Sequence, residues 1–382
     1  MTYSAVWLFT LQFGAKLKLL SENQLAALPL AYFVWVVLGG IYSALPGEAE
    51  KDIVLKIPFA AWPILVGSVL LFHERHRQSL IKGFVLFTAA AILLNFFTSI
   101  YSYSVTGDQS HLYFSKLVSF KMIPPHYLGM YINFAYAVVL YRLLVKKPLL
   151  GRGWVSIILL MVYFIALVFL SVRMQFITFA IVNLAVFSIF YKEVSLLKKT
   201  LWASGILVLM FALMMALPGP RSRMIDTVNE ILSFEGMVNN KQTNARKFLW
   251  REGVKVCAEN FWWGTGTGEA DVALNEKLKP INAKFWDGKT HFYLRDKNYN
   301  FHNAYLQHWA THGFIGFIIF IAMFLVPLWR KGVPIEGKLF LMVCALSFIT
   351  ESMLQRQAGV LFFSFFYAVF FVMKPTPEIE KA

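Results

Sequence analysis

Residues 153–191 read GWVSIILLMVYFIALVFLSVRMQFITFAIVNLAVFSIFY, two apolar runs joined by Ser171-Val172-Arg173. As a helix rising about 1.5 Å per residue, each run nears the roughly 30 Å of a bilayer's hydrocarbon core. The short alternating segments of a membrane β-barrel are not what is written here. Outward from this pair the pattern repeats, with further apolar stretches at 3–16, 27–45, 53–72, 80–103, 125–145, 200–217, 303–329, 337–354 and 358–374. The expectation is an all-α polytopic membrane protein of about eleven (ten to twelve) spans. The first stretch is short, and reads either as a span or as a segment lying in the interface.

Composition agrees. The chain has 382 residues, 58% hydrophobic and 15% charged, where a soluble domain would carry about 25% charged residues. The first apolar stretch lacks a basic leader and a small-residue cleavage site, so no cleavable signal peptide is expected. Cys257 and Cys344 fall in a loop and in an apolar stretch, a placement that argues against an intrachain disulfide.

The net charge of +15 lies mainly in short connectors and one long loop. Arg75, Arg77 and Lys82 form one basic connector, Arg142, Lys146, Lys147 and Arg152 a second, Lys192, Lys198 and Lys199 a third, and Arg330, Lys331 and Lys338 a fourth. These connectors alternate, which puts them together on the cytoplasmic side. Contact with anionic lipid accounts for them without a nucleic-acid partner. The other connectors then face outward, including an acidic patch at Glu48, Glu50 and Asp52, the turn at Arg173, and the long loop. Three segments result: 1–217 as the N-terminal spans, 218–302 as the outer loop, and 303–382 as the C-terminal spans and tail.

The outer loop is no low-complexity tether. Pro218, Gly219 and Pro220 stop the preceding span, a helix is expected from Arg223 to Leu232, and a second from Asn244, its N-cap, to Asn260. The second helix mixes Arg246, Lys247, Arg251 and Lys255 with Phe248, Leu249, Trp250 and Val254. With Trp262, Trp263, Phe285, Trp286, Phe292 and Tyr293 following, the loop should fold as a compact cap.

Several residues in this outer set carry chemistry. Arg173 is either a functional group at the boundary or an arginine reaching headgroups from a turn. Its five fixed donors match phosphate oxygens. Arg246 shares a helix face with Trp250 one turn on, and taken alone reads as part of a solvated face. His302, where the polar loop re-enters apolar sequence, is either a general base or an interfacial histidine bonded to a carbonyl. His308 and His312 have the i, i+4 spacing of a metal pair, but no acidic ligand is near in sequence, so no metal is expected. Gly264-Thr265-Gly266-Thr267-Gly268 lacks the neighbours of a nucleotide loop and reads as a tight turn. Glu351 and Arg356 read as a structural ion pair at the last outer turn. His126, at the start of its span, lines a cavity or sits among headgroups. His126, Arg251 and Arg356 are kept as supporting or sugar-binding candidates.

Together these pieces resemble the bacterial O-antigen ligase family. Its signature is a histidine followed by Asn, Ser or Gln, nine residues, a glycine, two residues, and Gly, Thr or Tyr. Here His302 and Asn303 are followed by nine residues, Gly313, two residues and Gly316. The family also has one arginine at an outer turn and one in the large periplasmic loop, positions held here by Arg173 and Arg246. The resemblance runs over residues 27–374 and departs at the N-terminal side, where members carry one span more.

The resemblance implies a helical membrane glycosyltransferase of the GT-C kind in the bacterial inner membrane, acting at the periplasmic face. It implies transfer of a polysaccharide from undecaprenyl pyrophosphate to a hydroxyl of lipid A–core oligosaccharide, with no metal, nucleotide or other cofactor. His302 would be the base, with Arg173 and Arg246 on the donor pyrophosphate. Asn303 would orient His302 or bind sugar, and Trp250 and Trp263 would stack on sugar rings or pack the loop. A polysaccharide polymerase or a protein O-oligosaccharyltransferase would use the same donor. A lipid-linked sugar transporter is the reading from another class; it would show internal repeats and midplane polar groups, and neither stands out.

Overall fold

A computed structural model describes residues 12–68, 74–118, 123–191, 194–232, 245–286 and 291–373. The protein is predominantly helical. In chain order the helices are α1 (Phe13–Ser21), α2 (Gln24–Ile41), α3 (Pro46–Lys56), α4 (Pro58–Gly67), α5 (Glu74–Thr106), α6 (Pro125–Leu144), α7 (Gly153–Leu170), α8 (Arg173–Phe190), α9 (Leu196–Ala216) and α10 (Pro218–Leu232). There follow α11 (Ala245–Glu259), α12 (Ala270–Leu278), α13 (Ala304–Trp329), α14 (Ile335–Ser347) and α15 (Gln357–Tyr367). A small antiparallel hairpin, unforeseen from sequence, pairs β1 (Lys284–Trp286) with β2 (His291–Tyr293) in the register Lys284 to Tyr293.

Among the described residues six helices are long and apolar enough to cross a membrane: α2, α5, α6, α7, α8 and α13. A seventh is added if residues 200–225, bent by 107°, form one span. Other apolar stretches form shorter helices. The stretch 53–72 is divided at Ile57, because Pro58 opens a new helix where its missing N–H costs nothing. The stretch 337–354 ends as a helix at Ser347, and 358–374 passes from α15 into a π-helical turn at Ala368–Val372. The stretch 3–16 lies largely outside the described residues, as does the expected N-cap Asn244.

Two compact units are formed. The first comprises residues 1–78, 244–338 and 348–382. In it α2 packs against α13, α3 and α4, α15 against α4, and α11 against α12 and α13. Rings fill the interior: Tyr32, Phe59, Phe320, Phe348 and Phe363 are fully buried and meet edge-on, stacked or tilted. In lipid such packing, rather than escape from water, holds helices together. The outer-loop part has a core of another kind, with Leu249, Val256, Leu274, Leu278, Leu294 and Phe301 buried together. These side chains leave water, at about 1.5–3 kcal/mol each for the larger ones. Among the described residues of 245–301 the outer-loop sequence therefore has a buried core of its own.

The second unit comprises residues 79–243 and 339–347. Here α6 packs between α7 and α8. Buried polar groups cross between helices: Asn133 Nδ2 donates to Gln175 Oε1 at 2.8 Å, Gln175 Nε2 to Ser347 Oγ at 3.0 Å, and Tyr136 Oη to Asn183 Oδ1 at 2.9 Å. Each such bond contributes about 0.6 kcal/mol within a membrane. The turn at Ser171 is tight, as expected; Ser171 has φ +50°, and Arg173 opens α8.

Candidate functional site

The site begins with a break in α13. Gly313 has φ +66° and ψ −175°, so the helix stops and restarts there. Its three preceding carbonyls would be orphaned in an apolar setting, which is costly. The glycine-rich loop covers them. Thr265 N donates to Ala310 O at 2.8 Å, Gly266 N to Thr311 O at 3.1 Å, and the Trp35 indole to His312 O at 2.9 Å. The loop is therefore a turn, as expected, and also a plug for the helix break. A β-carbon on Gly313 would lie 2.2 Å from Trp262 O, and one on Gly316 would lie 2.6 Å from the Trp35 ring. Both signature glycines are thus required by close approach.

At the other end of the same segment, Asn303 caps α13, its Oδ1 accepting from Leu306 N at 3.0 Å. That use leaves its side chain to the helix. His302, just before it, has φ +45°, a left-handed conformation that costs a non-glycine residue about 1–3 kcal/mol and tends to occur at functional sites. Asn300 Oδ1 accepts from His302 N at 2.9 Å and helps hold it.

The imidazole faces Glu351. Its Nδ1 is 3.1 Å from both carboxylate oxygens, the histidine side chain being 33% exposed and the glutamate 11%. A carboxylate only accepts, so in the neutral imidazole Nδ1 is the donor and Nε2 the acceptor. The Glu351–Arg356 ion pair expected from sequence is not formed. Arg356 is the exposed N-cap residue of α15, and Glu351 is turned to His302 instead. The loop bearing Glu351 is tied to α13 by Ala304 N to Phe348 O at 2.9 Å and Asn303 N to Ser352 Oγ at 3.2 Å.

Gln307, one turn into α13 and buried, links this pair to a polar pocket. Its Oε1 accepts from Ser352 Oγ at 3.2 Å and Phe301 N at 3.3 Å, and its Nε2 donates to Asp271 Oδ1 at 2.8 Å. The pocket, of about 200 Å³, is lined by Glu48, Lys51, Asp52, Asp271, Gln307, Thr311 and Gln355 among others. Burial pushes the Asp271 carboxyl up to about 6, against the pull of the Gln307 hydrogen bond and of Lys56 and His302. The expected acidic patch is partly an interior feature: Asp52 is buried and ion-paired with the fully buried Lys56, whereas Glu48 pairs with Lys51 at 2.6 Å on the surface.

The remaining sequence candidates divide between the units. Trp250 in α11 donates from Nε1 to Phe301 O at 3.1 Å and packs on the loop core, so its ring serves the fold. Trp263 is 60% exposed and stacks on Trp35 at 5.6 Å. Arg246 lies one turn before Trp250, about 6 Å along the axis of the helix pinned to the residue preceding His302. Arg251 points to Glu252, with Nε 2.8 Å from Oε1, and lies 5.3 Å from the Phe248 ring centre. Burial raises the Glu252 carboxyl, but Lys255 and Arg251 outweigh it and hold the group low. Arg173 and His126 belong to the second unit, His126 meeting the Phe114 ring edge-on at 6.0 Å. His308 and His312 are buried among rings; His308 stacks on Phe320 at 4.1 Å, and its Nδ1 donates to Ala304 O. Burial pushes the Cys257 thiol up to about 12, and both cysteines are buried thiols without a disulfide.

Asp271, Gln307 and Ser352 are residues that reading the sequence did not single out, and Glu351 was read there only as the partner of Arg356. Glu351 and Ser352 lie 49 residues beyond His302 and Asn303, and nothing local announces the pairing.

A search of curated proteins finds no match for the chain. A family model described as O-antigen ligase matches residues 157–321, a stretch containing Arg173, Arg246, His302, Asn303, Gly313 and Gly316. With the His302 segment capped, broken at Gly313 and packed as described, residues 157–321 are similar to the O-antigen ligase family over the stretch that holds this segment.

Proposed function

We propose that the protein is an O-antigen ligase of the bacterial inner membrane, transferring a polysaccharide from undecaprenyl pyrophosphate to a hydroxyl of lipid A–core oligosaccharide at the periplasmic face. The family supports ligase- or polymerase-type glycosyl transfer in general. The observation that carries the finer reading is the His302–Glu351 pair: a partly exposed imidazole, held by a carboxylate at Nδ1, with Nε2 available as a base. In this reaction His302 Nε2 takes the proton of the acceptor hydroxyl. That oxygen bonds the donor's anomeric carbon, the bond from that carbon to the pyrophosphate oxygen breaks, and configuration inverts. General-base assistance of this kind gives about 10²–10⁴-fold. Glu351 is a positioning residue, and Gln307 and Ser352 hold its frame.

The leaving pyrophosphate needs cationic partners. Arg246 is assigned to it because its helix is pinned through Trp250 to Phe301. Arg173 is assigned from its place at the α8 turn and the family resemblance. Residues 1–217, 218–302 and 303–382 then serve as entry spans, periplasmic loop and closing spans.

The test is His302→Asn, since Asn tolerates the left-handed backbone at this position. Transfer by the purified full-length variant should be lost while its melting temperature is kept; transfer at the wild-type rate would remove His302 from the mechanism. Gel analysis of a deletion strain then fixes the acceptor. Bare core with polymer left on the lipid carrier marks a ligase, and core bearing a single repeat marks a polymerase.

A further inference from the structure

We infer that the polar pocket tied to the His302–Glu351 pair seats the acceptor, and that it takes a neutral, unphosphorylated pyranose. This rests on the transferase reading above and adds the chemical class of the attacking sugar.

The pocket's size, about 200 Å³, is below the roughly 300–1,000 Å³ of drug-sized ligand sites and suits one sugar ring. Its lining is rich in acceptors. Asp52 is 8% exposed, and although its Oδ1 holds Lys56, its Oδ2 has no hydrogen-bond partner among the described residues. Asp271 uses Oδ1 for Gln307, and among the described residues its second oxygen receives no hydrogen bond. Gln307 accepts from Phe301 and Ser352 and gives one N–H to Asp271, so it acts as a strut that fixes Asp271. A ligand completing this site must bring donors, and a ring of hydroxyls does.

Charge sets the class. Glu48 is matched by Lys51 and Asp52 by Lys56, which leaves Asp271 without an ion-pair partner of its own among the described residues. Among the described residues no arginine lines the pocket. A phosphate or carboxylate on the sugar would meet like charge here, whereas the donor pyrophosphate calls for cations elsewhere. The pocket wall is connected to the backbone next to the base, since Gln307 bonds Ser352, whose hydroxyl accepts from the N–H of Asn303, the residue after His302.

The experiment uses the full-length protein in nanodiscs. Saturation-transfer NMR with methyl glucoside and methyl galactoside should show contact, and glucose 6-phosphate should show none. Asp271→Asn removes a charge that burial disfavours and keeps an oxygen for Gln307, so the variant folds. It should lose the glycoside contact and raise the acceptor KM about 10- to 100-fold, the loss of one charge-assisted hydrogen bond, with the donor KM at its wild-type value. Contact by glucose 6-phosphate equal to that of the neutral glycosides, or an unchanged acceptor KM, overturns the pocket assignment; loss of transfer in His302→Asn would then still uphold the transferase reading. Undiminished transfer in His302→Asn removes His302 from the mechanism and overturns the pocket assignment with it, while leaving the protein a transferase.

Discussion

Replacing Glu351 by Gln tests whether the carboxylate works through His302. The wild-type imidazole donates from Nδ1 to two oxygens 3.1 Å away. In the proposed reaction His302 becomes a cation as it takes the acceptor's proton, and the carboxylate would meet that charge. The substituted amide would offer no charge, and in one orientation would donate to Nδ1, forcing the proton onto Nε2, where the base must be free. A hydrogen bond to a charged group contributes about 1.5–3 kcal/mol, a neutral one about 0.5–1.5. With the tautomer penalty added, a loss of roughly 1.5–3 kcal/mol in the transition state is expected, or about 10- to 150-fold in rate. Because the charge develops only during reaction, the loss belongs in kcat, with donor and acceptor KM little changed. Initial rates with undecaprenyl-pyrophosphate glycan and lipid A–core, read by gel shift, measure this. Glu351→Asp should restore part of the rate. A Glu351→Gln enzyme with wild-type kcat, or one whose only change is a lower melting temperature, would refute the reasoning.

Other outcomes follow from particular contacts. Gly313→Ala forces a β-carbon against Trp262 O at a left-handed backbone, so destabilisation of roughly 2–5 kcal/mol is expected in thermal melts. Trp250→Phe leaves the Phe301 carbonyl without its indole donor and should cost about 1–3 kcal/mol, with slowed transfer although His302 is intact. Asp271 binds protons more tightly folded than unfolded, so its contribution to stability is present below about pH 4 and is lost as pH rises through about 6. Melting curves of Asp271→Asn should therefore gain on wild type between about pH 4 and pH 7, and a constant difference would contradict this. Arg246→Ala and Arg173→Ala should each abolish transfer at normal membrane levels. Lysine at either position should restore only part of the activity, because an ammonium lacks the guanidinium fork.

The apolar runs, the spacing from His302 to Gly316 and the aromatic outer loop were enough to indicate a polytopic helical protein, a compact cap and a candidate base. These features are local, because bilayer thickness and helix rise turn hydrophobic length directly into spans. Tertiary structure decided what local pattern does not carry. It moved Glu351 from Arg356 to His302, revealed the break at Gly313 and the loop that covers its carbonyls, and buried the Asp52–Lys56 pair. It also gathered Asp271, Gln307 and Ser352 around one pocket wall and its frame. Each is a contact between segments far apart in sequence, set by which helices pack together and by the need of every polar group in an apolar interior to find a partner.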